Sequence, residues 1–175
     1  MGRPIRRVVT GHDENGVATV IMDDTAECIL QRPNRPGVTL TNLWQVSESP
    51  AVMERHDDPV PGPLVLHPPK NGSIFRIVQF DPEDPEVLAN LDGKAAFAEM
   101  GAGANVVEGA RHPFMHRTDS VDYAVILTGE IYMMMDDEDY LLKAGDTVVQ
   151  QGTNHAWSNR GTEPCQIAFI LVDAA

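Results

Sequence analysis

The sequence predicts an all-β protein in which antiparallel strands close as a barrel or sandwich, with extra N-terminal strands and one or two short helices. Three observations carry this prediction. Short β-branched or alternating runs recur along the whole chain with turn residues between them. The connections in the C-terminal half are far shorter than the dozen or more residues of a parallel crossover. Helical cues are confined to the stretch 84–100.

Taken in order, Ile5 to Thr10 and Val17 to Met22 are β-branched runs on either side of Asn15-Gly16, which reads as a hairpin. Residues 31–37, with Pro33, Pro36 and Gly37, read as a loop, and Val38 to Val46 as the next strand. Five prolines between Asp57 and Gly72 resist both helix and central strand, and predict a surface connection arching near a pocket. Ser73 to Phe80 alternates, with Ile74, Arg76 and Val78 on one face and Phe75, Ile77 and Gln79 on the other, and is expected as a strand buried on both sides. Asp84-Pro85 starts a helix that Asp92-Gly93 interrupts, and Lys94 to Met100 follows as a second. The strands Val121–Thr128, Ile131–Met135, Tyr140–Lys143, Asp146–Gln150 and Cys165–Val172 complete the pattern. Residues 1–104 are expected to supply strands and connections that finish one domain whose core is 105–175.

Composition narrows the function classes. With 13 basic and 26 acidic residues the formal charge is -13, which repels phosphate backbones and anionic membranes, so no nucleic acid or membrane partner is expected. Two cysteines, Cys28 and Cys165, make no disulfide framework and point to a reducing cytoplasm. Met1 to Thr10 lacks an apolar segment, and no stretch approaches the ~20 apolar residues of a membrane span.

Chemistry concentrates between His112 and Asn159, which hold three of the six histidines. Gly129 is preceded, at the appropriate spacings, by Asp122, Thr118 and His116. Gly145 is followed by Gln151 and then by Gly152-Thr153-Asn154-His155-Ala156-Trp157-Ser158-Asn159. This layout resembles the two motifs of the cupin superfamily, G-x5-H-x-H-x3,4-E-x6-G and G-x5-P-x-G-x2-H-x3-N. Thr118 and Asp122 stand where that family has a histidine and a glutamate, and Gln151 where it has proline. The resemblance implies a double-stranded β-helix, or jelly-roll barrel, over about residues 105–173.

It also implies that His116, Asp122 and His155 converge inside the barrel as metal ligands. That set suits a divalent Fe, Mn, Ni or Zn ion with an open side for substrate. The alternative for each histidine is a hydrogen-bonded core residue, and the motif spacing favours the site. His116 and His155 are the candidate acid/base groups. Thr118, Trp157, Asn159 and Met133 are the candidate substrate contacts, with the turn before Arg160-Gly161 slightly favoured as the role of Asn159. His112, before Pro113, is expected in a loop or at the barrel mouth, His12 at a hairpin tip, and Tyr123 pointing outward beneath the N-terminal segment. Asp136-Asp137-Glu138-Asp139 lacks the glycine and distal glutamate of a calcium loop and reads as a solvated hairpin tip.

The expected function is a metal-assisted enzyme that isomerises, dehydrates or decarboxylates a small organic acid or carbonyl compound. An Fe(II)-dependent dioxygenase and a non-catalytic small-molecule binding protein are the alternatives. A homodimer paired through the N-terminal strands is expected, because the 5–22 hairpin offers an edge that needs covering.

Overall fold

Every strand ladder of the computed structural model, which describes residues 2–53, 56–60 and 62–174, is antiparallel, as the short connections require. Strands β1 (Arg6–His12) and β2 (Ala18–Thr25) form a separate hairpin. Its turn is held by Asp13, whose carboxylate accepts from the backbone N–H groups of Asn15 and Val17 at 2.8 and 2.9 Å.

The main sheet has six strands: β3 (Ile29–Arg32), β4 (Arg35–Val46), β5 (Ser73–Phe80), β6 (Ser120–Thr128), β9 (Thr147–Gln151) and β11 (Cys165–Asp173). Their spatial order is β3-β4-β5-β11-β6-β9, so the pairing of β5 with β11 joins the N-terminal and C-terminal portions of the chain in one sheet. The second sheet is β10-β7-β8, built from β7 (Glu130–Met134), β8 (Asp139–Lys143) and β10 (Ala156–Ser158). Their inner faces share one core, in which Val78, Ile126, Ile167 and Phe169 of the large sheet meet Ile131 and Trp157 of the small one. The result is the predicted all-β jelly-roll architecture.

Two local expectations are corrected. The predicted loop at 31–37 is a tight turn between β3 and β4, with Arg32 paired to Arg35. Pro36 and Gly37 are tolerated in β4 because the β3–β4 ladder shifts there and the β4–β5 ladder begins only at Val38, so no sheet bond is lost. The 73–80 strand buries only its Ile74, Arg76, Val78 and Phe80 face, leaving Phe75 38% exposed. Asp92 separates the two short helices as expected, and it also caps the second.

The helices are short. In α1 (Pro85–Leu88), Asp84 caps the backbone N–H groups of Glu86 and Val87, with Pro85 in the first turn. In α2 (Gly93–Ala98), the Asp92 carboxylate accepts from Ala95 N–H at 3.1 Å. None of the described helices is long and apolar enough to cross a membrane.

Gly93 is needed for close approach, since a Cβ there would lie 1.8 Å from the carbonyl oxygen of Pro113, a rigid backbone atom. This contact fixes α2 against the segment that leads into His116. We expect Gly93→Ala to destabilise the fold by on the order of 3 kcal/mol, the upper range of overpacking penalties. A urea melt with an unchanged midpoint would contradict this.

Candidate functional site

The inner faces of the two sheets enclose a cavity that opens to solvent. Its polar lining comprises His116, Thr118, Asp122, His155 and three arginines, Arg32, Arg35 and Arg76. The remaining wall is apolar and strongly aromatic, with Phe97, Phe114, Trp157 and Phe169 among its residues. Strand alternation explains the selection: Asp122 and Ala124 of β6 face inward while Tyr123 between them is 48% exposed.

His116 and His155 are set side by side by their own backbones. Each N–H donates to the other's carbonyl at 2.9 Å, an isolated antiparallel bridge between two otherwise irregular segments. Such a pair places side chains as direct cross-strand neighbours, and the two ring centroids are 4.3 Å apart. Phe97 packs on the outer side of His116, 4.4 Å between centroids, and the Trp157 ring stands edge-on to His155 at 6.1 Å.

The rings share one tautomer. His116 Nδ1 lies 3.0 Å from the carbonyl of Phe114, and His155 Nδ1 lies 2.9 Å from the carbonyl of Thr153. A carbonyl only accepts, so Nδ1 carries the proton on both and Nε2 is the lone-pair nitrogen. Burial holds His116 well below the ordinary imidazole range, helped by the neighbouring His155. Burial also brings His155 down to about 4, against the opposing bond to Thr153. Both rings are therefore neutral bases at physiological pH.

Asp122 reaches the same cavity through a hydroxyl chain. Thr118 Oγ1 and Ser120 Oγ are 2.8 Å apart, and Ser120 Oγ donates to Asp122 Oδ1 at 2.6 Å. Burial raises the Asp122 carboxyl above its usual range, with the Ser120 bond and the Arg76 charge opposing. Asp122, His116 and His155 thus line one cavity, but among the described residues no three His, Cys, Asp or Glu side chains gather closely enough to hold a metal ion. The expected three-ligand set is corrected to an imidazole pair and a separate carboxyl. This donor set does not fit the divalent ion that the motif resemblance implied.

Other expected contacts divide. Thr118 and Trp157 line the cavity. Asn159 does not: it is fully buried, its Nδ2 donating to the carbonyls of Phe80 and Glu163 and its Oδ1 accepting from Gly161 N–H, so it holds the turn. Met133 pairs across the ladder with Trp157 and packs into the core behind the cavity wall. His112 lies in a loop as expected but is buried away from the cavity. Its Nδ1 accepts from Phe114 N–H, and its Nε2 stands 3.9 Å from Glu83. Asp139, in the acidic tip, is not merely solvated, since it ion-pairs with Arg111 and Arg160. Tyr123 points outward and is half-exposed. The three arginines were missed, although Arg76 is visible in the sequence as a charge inside an otherwise apolar alternating face.

Comparison with known proteins agrees with this architecture. Phomopsin biosynthesis cluster protein C' of Diaporthe leptostromiformis is 48% identical over 62 residues, 34% of this chain and 33% of that protein. The chain therefore aligns with only about a third of the length of that relative. Oryzines biosynthesis cluster protein J of Aspergillus oryzae is 27% identical over 97% of this chain and 83% of its own length. The cupin-domain-containing oxidoreductase fogC of Aspergillus ruber is 25% identical over 95% and 71% respectively. The family described as "Cupin domain" matches residues 90–172, the segment that holds both histidines, Asp122 and the whole small sheet.

Proposed function

We propose that the cavity is the active site of an enzyme that moves a proton on a small carbonyl compound or organic acid, in a redox-neutral isomerisation, dehydration or decarboxylation. The observation that carries this reading is the imidazole pair. Two neutral rings, each with Nδ1–H tied to a backbone carbonyl, offer Nε2 lone pairs within a mostly apolar cavity. One can accept a proton from carbon while the other returns or receives one nearby, and such positioned acid/base groups typically contribute ~10²–10⁴-fold. The aromatic wall excludes water and orients a flat, conjugated substrate. The oxidoreductase name carried by a relative motivates a second reading, which differs in requiring an oxidant.

The test is exchange of carbon-bound hydrogen in a panel of 2-oxo and 3-oxo acids dissolved in heavy water, followed by proton NMR. Protein-dependent exchange without uptake of oxygen supports proton transfer. Oxygen consumption supports the redox reading, and a ligand that raises the melting temperature without exchange or turnover identifies a binding protein.

The pH dependence follows from the same rings. Exchange should persist from neutrality down to about pH 4, where protonation removes the His155 lone pair. Stability behaves differently. Because the unfolded imidazole protonates near 6.5 and the folded one only near 4, the unfolded state binds more protons between those values. Stability therefore falls as pH drops through that window and is fully present above it. Melting temperatures that stay level from pH 7 to about pH 4 would contradict the buried neutral pair.

A further inference from the structure

The inward face of β5 runs Ile74, Arg76, Val78, Phe80, and Arg76 is only 2% exposed. Its Nη2 donates to the carbonyls of Val65 and Leu66, both at 2.9 Å, in the proline-rich connection that covers this end of the cavity. Its Nε is buried without any hydrogen-bond partner. No carboxylate forms an ion pair with it among the described residues. Asp122 acts on it only through space, and that carboxyl already accepts the Ser120 hydroxyl. Two carbonyls orient a guanidinium but do not neutralise it.

An uncompensated buried charge is expensive, costing several kcal/mol even after relaxation. Carboxylates are abundant in a chain with 26 acidic residues, and elsewhere they are used for this purpose. Arg7 pairs with Asp24 and Asp58, and Arg35 with Glu83. Arg76 lacks such a partner where it borders a cavity that a ligand can enter. Arg32, which lines the same cavity from the end of β3, also keeps a buried Nε without a partner.

We propose that Arg76 is the anion-binding residue of this cavity, and that its ligand is a small acid whose carboxylate pairs with the Arg76 guanidinium while an apolar body lies against Trp157 and Phe169. The inference rests on the cavity being the substrate site and names the class of substrate it takes. Arginine suits the role because its guanidinium keeps its charge and carries five N–H donors, of which the two on Nη2 are taken by Val65 and Leu66.

The test is calorimetric titration of the full chain with benzoate and phenylacetate against benzamide and phenylacetamide, neutral probes of the same shape. The acids should bind at least about tenfold more tightly than their amides, the scale of a charge-assisted contact. Arg76→Met should abolish this preference while keeping the fold, because it replaces a buried charge by a side chain of similar length. Arg76→Lys should retain part of it. Equal affinity for acid and amide, no saturable binding of either acid, or an undiminished preference in folded Arg76→Met would overturn the proposal. Should Arg76→Met not fold, the acid–amide comparison in the parent protein and in Arg76→Lys decides. Acid selectivity without hydrogen exchange refutes only the proton-transfer reading, and exchange without acid selectivity refutes only the role of Arg76.

Discussion

Replacing His155 by glutamine is expected to lower hydrogen exchange into substrate by ~10²–10⁴-fold with little change in substrate affinity, and His116→Gln should do the same. Glutamine keeps a polar group of similar reach but has no lone-pair nitrogen able to accept a proton. The fold should survive, because the bridge that aligns these residues is made by their backbone N–H and carbonyl groups. If the rings act as a unit, the double variant loses scarcely more than the weaker single variant. Rate constants from the NMR assay, with circular dichroism to confirm folding, give the comparison. Parent-like rates in both folded variants would remove the imidazole pair from the chemistry.

The strands that place this pair were largely legible beforehand. Burial alternates along 120–128 because one face packs on the core and the other meets solvent, and it was the β-branched and apolar content between turn residues that marked both 120–128 and 165–173 as strands. The spacing Gly152-x2-His155-x3-Asn159 located one histidine, and the distance back from Gly129 located the other. Gly129 itself has φ +70°, and a Cβ there would come within 2.8 Å of the Pro164 carbonyl, so its position in the motif has a backbone cause.

Less legible was anything decided by which of two polar roles a buried group takes. Asn159 could have faced substrate or a turn, and only the positions of Phe80, Glu163 and Gly161 settle the matter. Spacing brought Asp122 to the right cavity, yet it could not show that Ser120, two residues earlier on the same face, would take its oxygen. His112 looked like a loop histidine, and its burial beside Glu83 depends on a contact between positions far apart in the chain. The arginines were missed for a similar reason, since a charged residue on a strand reads as a solvated face unless its partners are known.

Glu83→Ala should be the most destabilising substitution near the site, costing ~3–5 kcal/mol, the usual result of stripping one partner from a buried ion pair. One Glu83 oxygen accepts from Arg35 Nη2 at 2.8 Å, and the other accepts from Ser158 Oγ at 2.5 Å. The Arg35 and Glu83 side chains are only 7% and 11% exposed. Arg35 also lies over the Phe114 ring, 4.1 Å from its centroid, and lines the cavity. Removing the carboxylate therefore leaves a buried guanidinium without a counter-charge and loosens the ring that backs the site. A fall in melting temperature on the order of 10 °C is expected for a domain of this size. Because most of this penalty is the stranded charge, the double variant Glu83→Ala/Arg35→Met should be more stable than Glu83→Ala alone. Strictly additive losses in that cycle would show that the two side chains contribute through separate packing and not as a pair.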